Sequence, residues 1–159
     1  MQASSTKISD TASHGAGLKD QHFMEQALRL ALRGQGMTGS NPAVGCVIVS
    51  ADGAVVGTGW TQSGGRPHAE TVALGEAGNA ARSGTAYVTL EPCAHTGKTA
   101  PCAEALVAAG LKSVFFALYD PDPRVAGRGA EKLRQAGIEV HEGLMRDAAH
   151  DVNAGFLSR

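Results

Sequence analysis

The sequence is poor in aromatic residues and in net charge, and both shortages argue against certain partners. It has one Trp, two Tyr and four Phe among 159 residues, and its formal net charge is -1. Proteins that bind RNA usually present a basic surface that carries aromatic side chains. A nearly neutral chain also has no general attraction for phosphate backbones or anionic membranes. We therefore expect neither a nucleic acid nor a membrane as a partner.

Cysteines and long apolar runs are also scarce, which bears on the cellular compartment. The three cysteines are an odd number, and the N-terminal residues do not have the pattern of a secretory signal, so a disulfide framework is not expected. No apolar run approaches the roughly 20 residues that span a bilayer. A reducing cytoplasm fits these features and would keep cysteines free to bind metal.

The length and composition predict one globular domain. Hydrophobic residues make up 43% of the chain and charged residues 18%, which is typical of a folded domain. Residues 1–19 are rich in Ser, Thr, Gly and Ala without apolar periodicity, so we expect a disordered tail there and the domain over residues 20–159. The sequence does not give the oligomeric state, and a homo-oligomer is compatible with it.

Strand-like and helix-like stretches alternate along residues 20–159. The nearly continuous apolar run Val44–Val49 is typical of a strand covered on both faces, and Cys46 within it is interpreted as a buried core residue. Asp52-Gly53 predicts a hairpin turn into the next strand. The predicted strands are 44–49, 54–60, 85–90, 114–119 and 138–141. The predicted helices are 20–34, 68–78, 102–109, 129–136 and 144–156. This alternation predicts a layered α/β sandwich whose second half is largely parallel.

One histidine, two cysteines and a glutamate form the most informative pattern. His68, Cys93 and Cys102 offer an imidazole and two thiolates, and three such ligands with a fourth position left for water are typical of a catalytic zinc. Glu70 follows His68 by two residues. The order His-x-Glu and then Pro-Cys is typical of the zinc deaminases, in which the glutamate moves protons and does not bind the metal. We interpret the chain as a hydrolytic deaminase with one Zn²⁺ and with Glu70 as general acid/base.

The predicted helices place these residues where such a site can form. His68 opens one helix, and Cys102 lies in the first turn of another, where the positive end of the helix lowers a thiol pKa. If both helices begin at the same sheet edge, their N-termini converge on one metal. Taken singly, each residue has an ordinary interpretation: a surface histidine, a first-turn acid, or cysteines of a structural zinc site. Only their order favours the catalytic site.

The loop between the two cysteines narrows the substrate class. Eight residues lie between Cys93 and Cys102, where nucleic-acid and nucleoside deaminases commonly have two. Lys98 in this loop is a positive charge that can meet a substrate phosphate, although composition alone favours a solvated loop lysine.

At this point the chain resembles the deaminase domain of the bacterial riboflavin-pathway diaminohydroxyphosphoribosylaminopyrimidine deaminases, over residues 21–159. The segments that carry the resemblance are Asn41-Pro42-x-Val44-Gly45, His68-Ala69-Glu70, Tyr87-Val88-Thr89-Leu90-Glu91-Pro92-Cys93, His95-x-Gly97-Lys98-Thr99 and Asp120-Pro121-x-Pro123. The resemblance implies a three-layer α/β/α, cytidine deaminase-like fold with a five-stranded mixed sheet.

The resemblance also implies a reaction and a set of contacts. The reaction is the zinc-dependent conversion of 2,5-diamino-6-(5-phosphoribosylamino)pyrimidin-4(3H)-one to 5-amino-6-(5-phosphoribosylamino)uracil, with release of ammonia. The residues expected to bind the substrate are Asn41, His95, Lys98 and Asp122, and Lys98 is the better candidate for the phosphate.

Three positions depart from the family pattern. Thr61 stands where many relatives have histidine, Ala100 replaces a proline, and Asp122 stands where asparagine is common. The first and third concern substrate contacts and leave the metal chemistry intact. Many relatives continue into a reductase domain, which this sequence does not include, so we expect a single-function deaminase or a truncated chain.

Two other functions are left open by the residues themselves. The first is a deaminase of the same fold that acts on another nucleobase, a nucleotide or a tRNA adenosine; the few aromatic residues and the charge disfavour RNA. The second is a non-catalytic, zinc-stabilised binding module, in which Glu70 has no role.

Overall fold

The computed structural model describes residues 17–37, 42–94 and 102–153, and these residues form a five-stranded sheet between two layers of helices. The strands are β1 (Gly45–Val49), β2 (Val55–Trp60), β3 (Thr85–Leu90), β4 (Ser113–Leu118) and β5 (Glu139–Glu142). The sheet order is β2-β1-β3-β4-β5. Strand β1 is antiparallel to β2 and β3, and β4 is parallel to β3 and β5. The mixed, five-stranded sheet that we expected is confirmed.

Five α-helices lie within the described residues, close to the predicted positions. They are α1 (Leu18–Gly34), α2 (Ala69–Ala77), α3 (Cys102–Ala108), α4 (Arg128–Gln135) and α5 (Arg146–Val152). None of these helices combines the length and apolar character needed to cross a membrane.

Two helices begin two residues away from their predicted starts, while the other three begin within one residue of theirs. Helix α1 begins at Leu18, two residues before the predicted start at Asp20. Asp20 lies within the first turn and does not cap the helix; its carboxylate accepts a hydrogen bond from the backbone N–H of Gly17 at 2.9 Å. The expected tail therefore overlaps the helix by two residues, and residues 1–16 lie outside the described part. Helix α5 begins at Arg146, and the preceding Met145 has a left-handed backbone with φ of 58°.

The core has two halves, one on each face of the sheet. Strand β1 is buried along its whole length, as predicted. Because side chains alternate along a strand, Cys46 and Ile48 join the core beneath α2, α3 and α4, while Val47 and Val49 join the core beneath α1 and α5. Cys46 is fully buried, as we expected.

Two glycines let α2 lie directly against strand β2. A Cβ added at Gly57 would lie 2.2 Å from the backbone oxygen of Ala73, and one at Gly59 would lie 2.5 Å from that of Ala69. Neither distance is possible for real atoms, so only glycine permits this separation. The close contact fixes the first turn of α2, which carries Glu70.

Candidate metal centre

Three side chains from separate segments meet at one edge of the sheet. His68 is the residue that precedes α2, Cys93 follows β3, and Cys102 is the first residue of α3. Each offers one ligand atom, and these atoms all lie within 4.8 Å of one another. The convergence that we expected of these residues is therefore present. One imidazole and two sulfurs form a donor set that zinc prefers.

Hydrogen bonds connect the members of this cluster. Nδ1 of His68 lies 3.3 Å from Sγ of Cys102. The backbone N–H of Cys102 donates to Sγ of Cys93 at 3.3 Å, and the N–H of Ala103 donates to the carbonyl oxygen of Cys93 at 2.9 Å. The start of α3 therefore holds the Cys93 corner in place through one N–H group on the sulfur and one on the carbonyl oxygen.

The cluster separates the pKa values of its two thiols. The hydrogen bond with the Cys102 side chain, and then the contact with His68, lower the pKa of Cys93 to about 4. The contact with Cys93, and then burial, raise the pKa of Cys102. The contact with Cys93 also raises the pKa of His68. These groups share protons that a metal would displace on binding, because metal ligands are thiolates and neutral imidazole.

Glu70 lies beside the cluster in the first turn of α2. It is only 4% exposed. Burial is the largest cause that raises the pKa of Glu70 to about 7. The charge of Cys93 also raises this pKa, whereas His68 and the hydrogen bond with Cys102 lower it. A carboxyl group whose pKa lies near 7 can both take and return a proton at neutral pH.

A cavity opens next to these residues. Its described lining residues are Pro42, Val44, Thr61, Arg66, His68, Glu70, Leu90, Glu91, Cys93 and Asp120. Thr61, one of the departures from the family pattern, is a buried part of this wall, and its Oγ1 accepts a hydrogen bond from the backbone N–H of Val44 at 3.0 Å.

The residues that we expected to bind the substrate are not all placed by the structure. Asn41, His95 and Lys98 lie outside the described residues, so these assignments stay predictions. Asp122 is not among the described residues that line the cavity. Its carboxylate pairs with the guanidinium of Arg124 at 2.9 Å, and this contact lowers the pKa of Asp122 to about 2.

Sequence reasoning gave no role in the site to three charged residues that line this cavity: Arg66, Glu91 and Asp120. The sequence did contain a signal for Glu91 and Asp120. Parallel strands end at the same edge of a sheet, so the residues that follow β3 and β4 meet there. Glu91 and Asp120 occupy those positions.

Comparison with known proteins places these features in a family. Residues 18–118 match the cytidine and deoxycytidylate deaminase zinc-binding region. The riboflavin biosynthesis protein RibD of Escherichia coli (strain K12) is 54% identical over 142 residues, which cover 89% of this chain and 38% of that protein. The diaminohydroxyphosphoribosylamino-pyrimidine deaminase of Buchnera aphidicola subsp. Schizaphis graminum is 45% identical over 142 residues, which cover 89% of this chain and 96% of that protein.

A solved structure has the same fold. Acinetobacter baumannii RibD (form 2) superposes with a TM-score of 0.85 at 54% identity, covering 88% of this chain and 39% of that one. The chain spans 38–39% of the length of several RibD relatives that it matches.

Proposed function

This chain belongs to the zinc-binding cytidine and deoxycytidylate deaminase family, and we propose that it removes the 2-amino group of 2,5-diamino-6-(5-phosphoribosylamino)pyrimidin-4(3H)-one by hydrolysis. One observation carries the proposal: a buried glutamate adjoins an imidazole and two thiols that converge on one point. The relative that is named for this deamination, and that aligns over 96% of its own length, supports the choice of substrate.

His68, Cys93 and Cys102 would hold the zinc. Two thiolates would balance the charge of Zn²⁺, and the neutral imidazole adds none. When bound, zinc supplies a nucleophile at neutral pH, because it lowers the pKa of a coordinated water to about 7.

Glu70 would carry the protons of the reaction. Its carboxylate takes one proton from the attacking water and gives it to a ring nitrogen. It then takes the second proton from the hydroxyl formed on the ring carbon and gives it to the departing amine. The oxygen of water replaces the amino nitrogen on the ring carbon, and the amine leaves as ammonia. Because the carboxyl group is buried, bulk water does not compete for this proton transfer.

We keep Asn41, His95, Lys98 and Asp122 as the proposed contacts to the substrate, with Lys98 for its phosphate. The pairing of Asp122 with Arg124 offsets an acidic charge that would otherwise repel a phosphate. We also propose a cytoplasmic location, because the cysteine ligands must stay reduced to bind a metal.

Ammonia release from three substrates tests the proposal. The purified, zinc-loaded chain is offered the pyrimidinone phosphate, CMP and a tRNA anticodon stem-loop at equal concentrations. We expect release from the pyrimidinone phosphate and at least about 100-fold lower kcat/KM for the other two, since a site built to bind a polar group discriminates strongly against substrates that lack it. Release from CMP or from the stem-loop at a comparable or higher rate would assign the chain to another branch of the family. Absence of release from all three would leave a zinc-binding module and refute the proposed function.

A further inference from the structure

A buried carboxylate that the chemistry above does not use lies next to the metal centre. Glu91 follows β3 directly and precedes Pro92 and Cys93 by one and two positions. It is only 4% exposed. Within the described residues, neither a lysine nor an arginine forms an ion pair with it. A buried charge must find other partners, because its isolated burial is costly.

The partners of Glu91 are three backbone N–H groups on another segment. Oε1 accepts hydrogen bonds from Asp120 at 3.1 Å and from Gly127 at 3.0 Å, and Oε2 accepts one from Ala130 at 3.0 Å. Asp120 follows β4, Gly127 precedes α4, and Ala130 is in its first turn. A single carboxylate therefore fixes both ends of segment 120–127.

A second contact joins the same two parts of the fold. A Cβ added at Gly129 would lie 1.8 Å from the carbonyl oxygen of Pro92, so the start of α4 packs directly against the corner that carries Cys93. Because Asp120 also lines the cavity, the first residue of this segment belongs to the cavity wall. Its backbone N–H is the one that donates to Oε1 of Glu91 at 3.1 Å.

We propose that Glu91 is a positioning residue that fixes segment 120–127 and thereby the position of Asp120 in the substrate-facing wall. The inference rests on the proposed function, since the wall is assigned to the phosphoribosylaminopyrimidine cavity. Glu91 itself touches neither the reacting atoms nor the metal in this assignment. Its effect is therefore expected in KM and much less in kcat or zinc content.

The two side-chain oxygens of Glu91 together accept bonds from all three N–H groups. A glutamine of the same shape keeps one oxygen acceptor, and its amide NH₂ would face an N–H that also donates. Glu91→Gln thus removes one acceptor while it preserves the volume of the side chain. Leu133→Ala is the matched control: Leu133 is a fully buried residue of the same α4 and makes none of these bonds.

The experiment measures kcat, KM, zinc per chain and thermal stability for the parent, Glu91→Gln and Leu133→Ala. For Glu91→Gln we expect KM for the pyrimidinone phosphate to rise about tenfold, as for one buried hydrogen bond to a charged group. Its kcat should change by less than about threefold and its zinc content should not change. For Leu133→Ala we expect a lower Tm with an unchanged KM. A KM for Glu91→Gln that rises no more than that of Leu133→Ala overturns the proposal.

Amide hydrogen exchange in the zinc-loaded parent provides a test that needs no variant and no substrate. We expect slow exchange at Asp120, Gly127 and Ala130, in contrast to the exposed turn residue Asp52. Exchange at these three amides as fast as at Asp52 overturns the positioning role, even if Glu91→Gln fails to fold. If the parent does not deaminate the pyrimidinone phosphate, the proposed function fails, and the exchange rates alone then decide whether Glu91 fixes the segment.

Discussion

Nδ1 of His68 lies 3.3 Å from Sγ of Cys102, although 34 positions separate the two residues in the sequence. The topology explains this proximity. Strands β2 and β3 are both antiparallel to β1, so they run in the same direction and end at the same edge of the sheet. His68 follows β2, and Cys93, whose Sγ accepts a hydrogen bond from the backbone N–H of Cys102, follows β3. The metal centre is therefore a consequence of the strand order.

Replacing either cysteine of the cluster should abolish zinc binding. We expect Cys93→Ser and Cys102→Ser to purify with zinc well below one atom per chain, because a serine hydroxyl is not ionised at neutral pH and is a poor zinc ligand. Metal analysis by mass spectrometry gives the stoichiometry. Cys46→Ala is the control, since Cys46 is a buried core residue. Equal zinc loss in the control would show that instability, and not ligation, explains the result.

The substitution Glu70→Gln should separate metal binding from turnover. We expect full zinc content and a kcat that falls by about 10²–10⁴, as is typical when a general acid/base is lost. Glu104→Gln is the matched control, because Glu104 also lies in the first turn of a helix but is exposed and pairs with Lys132. Turnover by Glu70→Gln at the rate of this control would refute the general acid/base role.

The close contact between α2 and β2 should make Gly59 intolerant of any side chain. We expect Gly59→Ala to lower the free energy of unfolding by about 1–3 kcal/mol, as for overpacking in a core. Urea unfolding measures the change. Gly75→Ala, in helix α2, is the control, because its added Cβ meets no atom within 4 Å. This variant should raise the free energy of unfolding by about 0.5–1 kcal/mol. Equal stability of the two variants would contradict the packing described for α2.

Tyr87 should make the stability depend on pH in the alkaline range. Its hydroxyl donates to the carboxylate of Asp20, which links β3 to α1. Burial, and then this bond, raise the pKa of Tyr87. The folded chain keeps the hydroxyl protonated where the unfolded chain has begun to ionise, near pH 10. The stabilisation is thus complete below that pH and declines above it.

Thermal unfolding of the parent and of Tyr87→Phe between about pH 8 and pH 11 checks this dependence. The difference in Tm between them should be constant up to about pH 9.5 and should shrink above it. A difference that stays constant across the whole range would mean that Tyr87 titrates alike in both states.

The sequence predicted most of the fold because local patterns determine it. The apolar run of β1 predicted a strand buried on both faces, and the order of His68, Cys93 and Cys102 predicted a common metal. The start of α1 was predicted two residues late, because Asp20 resembles a cap but bonds to Gly17 from within the first turn. That choice depends on backbone geometry, which composition does not reveal.

The role of Glu91 could not be read from its neighbours in the sequence. Its three hydrogen-bond donors lie 29, 36 and 39 positions away, and they come together only once β3 and β4 pair. Contacts of this kind follow from the tertiary structure.

X-ray absorption at the zinc edge of the zinc-loaded chain tests the central claim most directly. If His68, Cys93 and Cys102 bind the metal, the spectrum should show two sulfur atoms at about 2.3 Å and one nitrogen at about 2.0–2.1 Å, with one further light ligand. The result that would contradict this account is a zinc shell without sulfur, or one with four sulfurs and no position left for water.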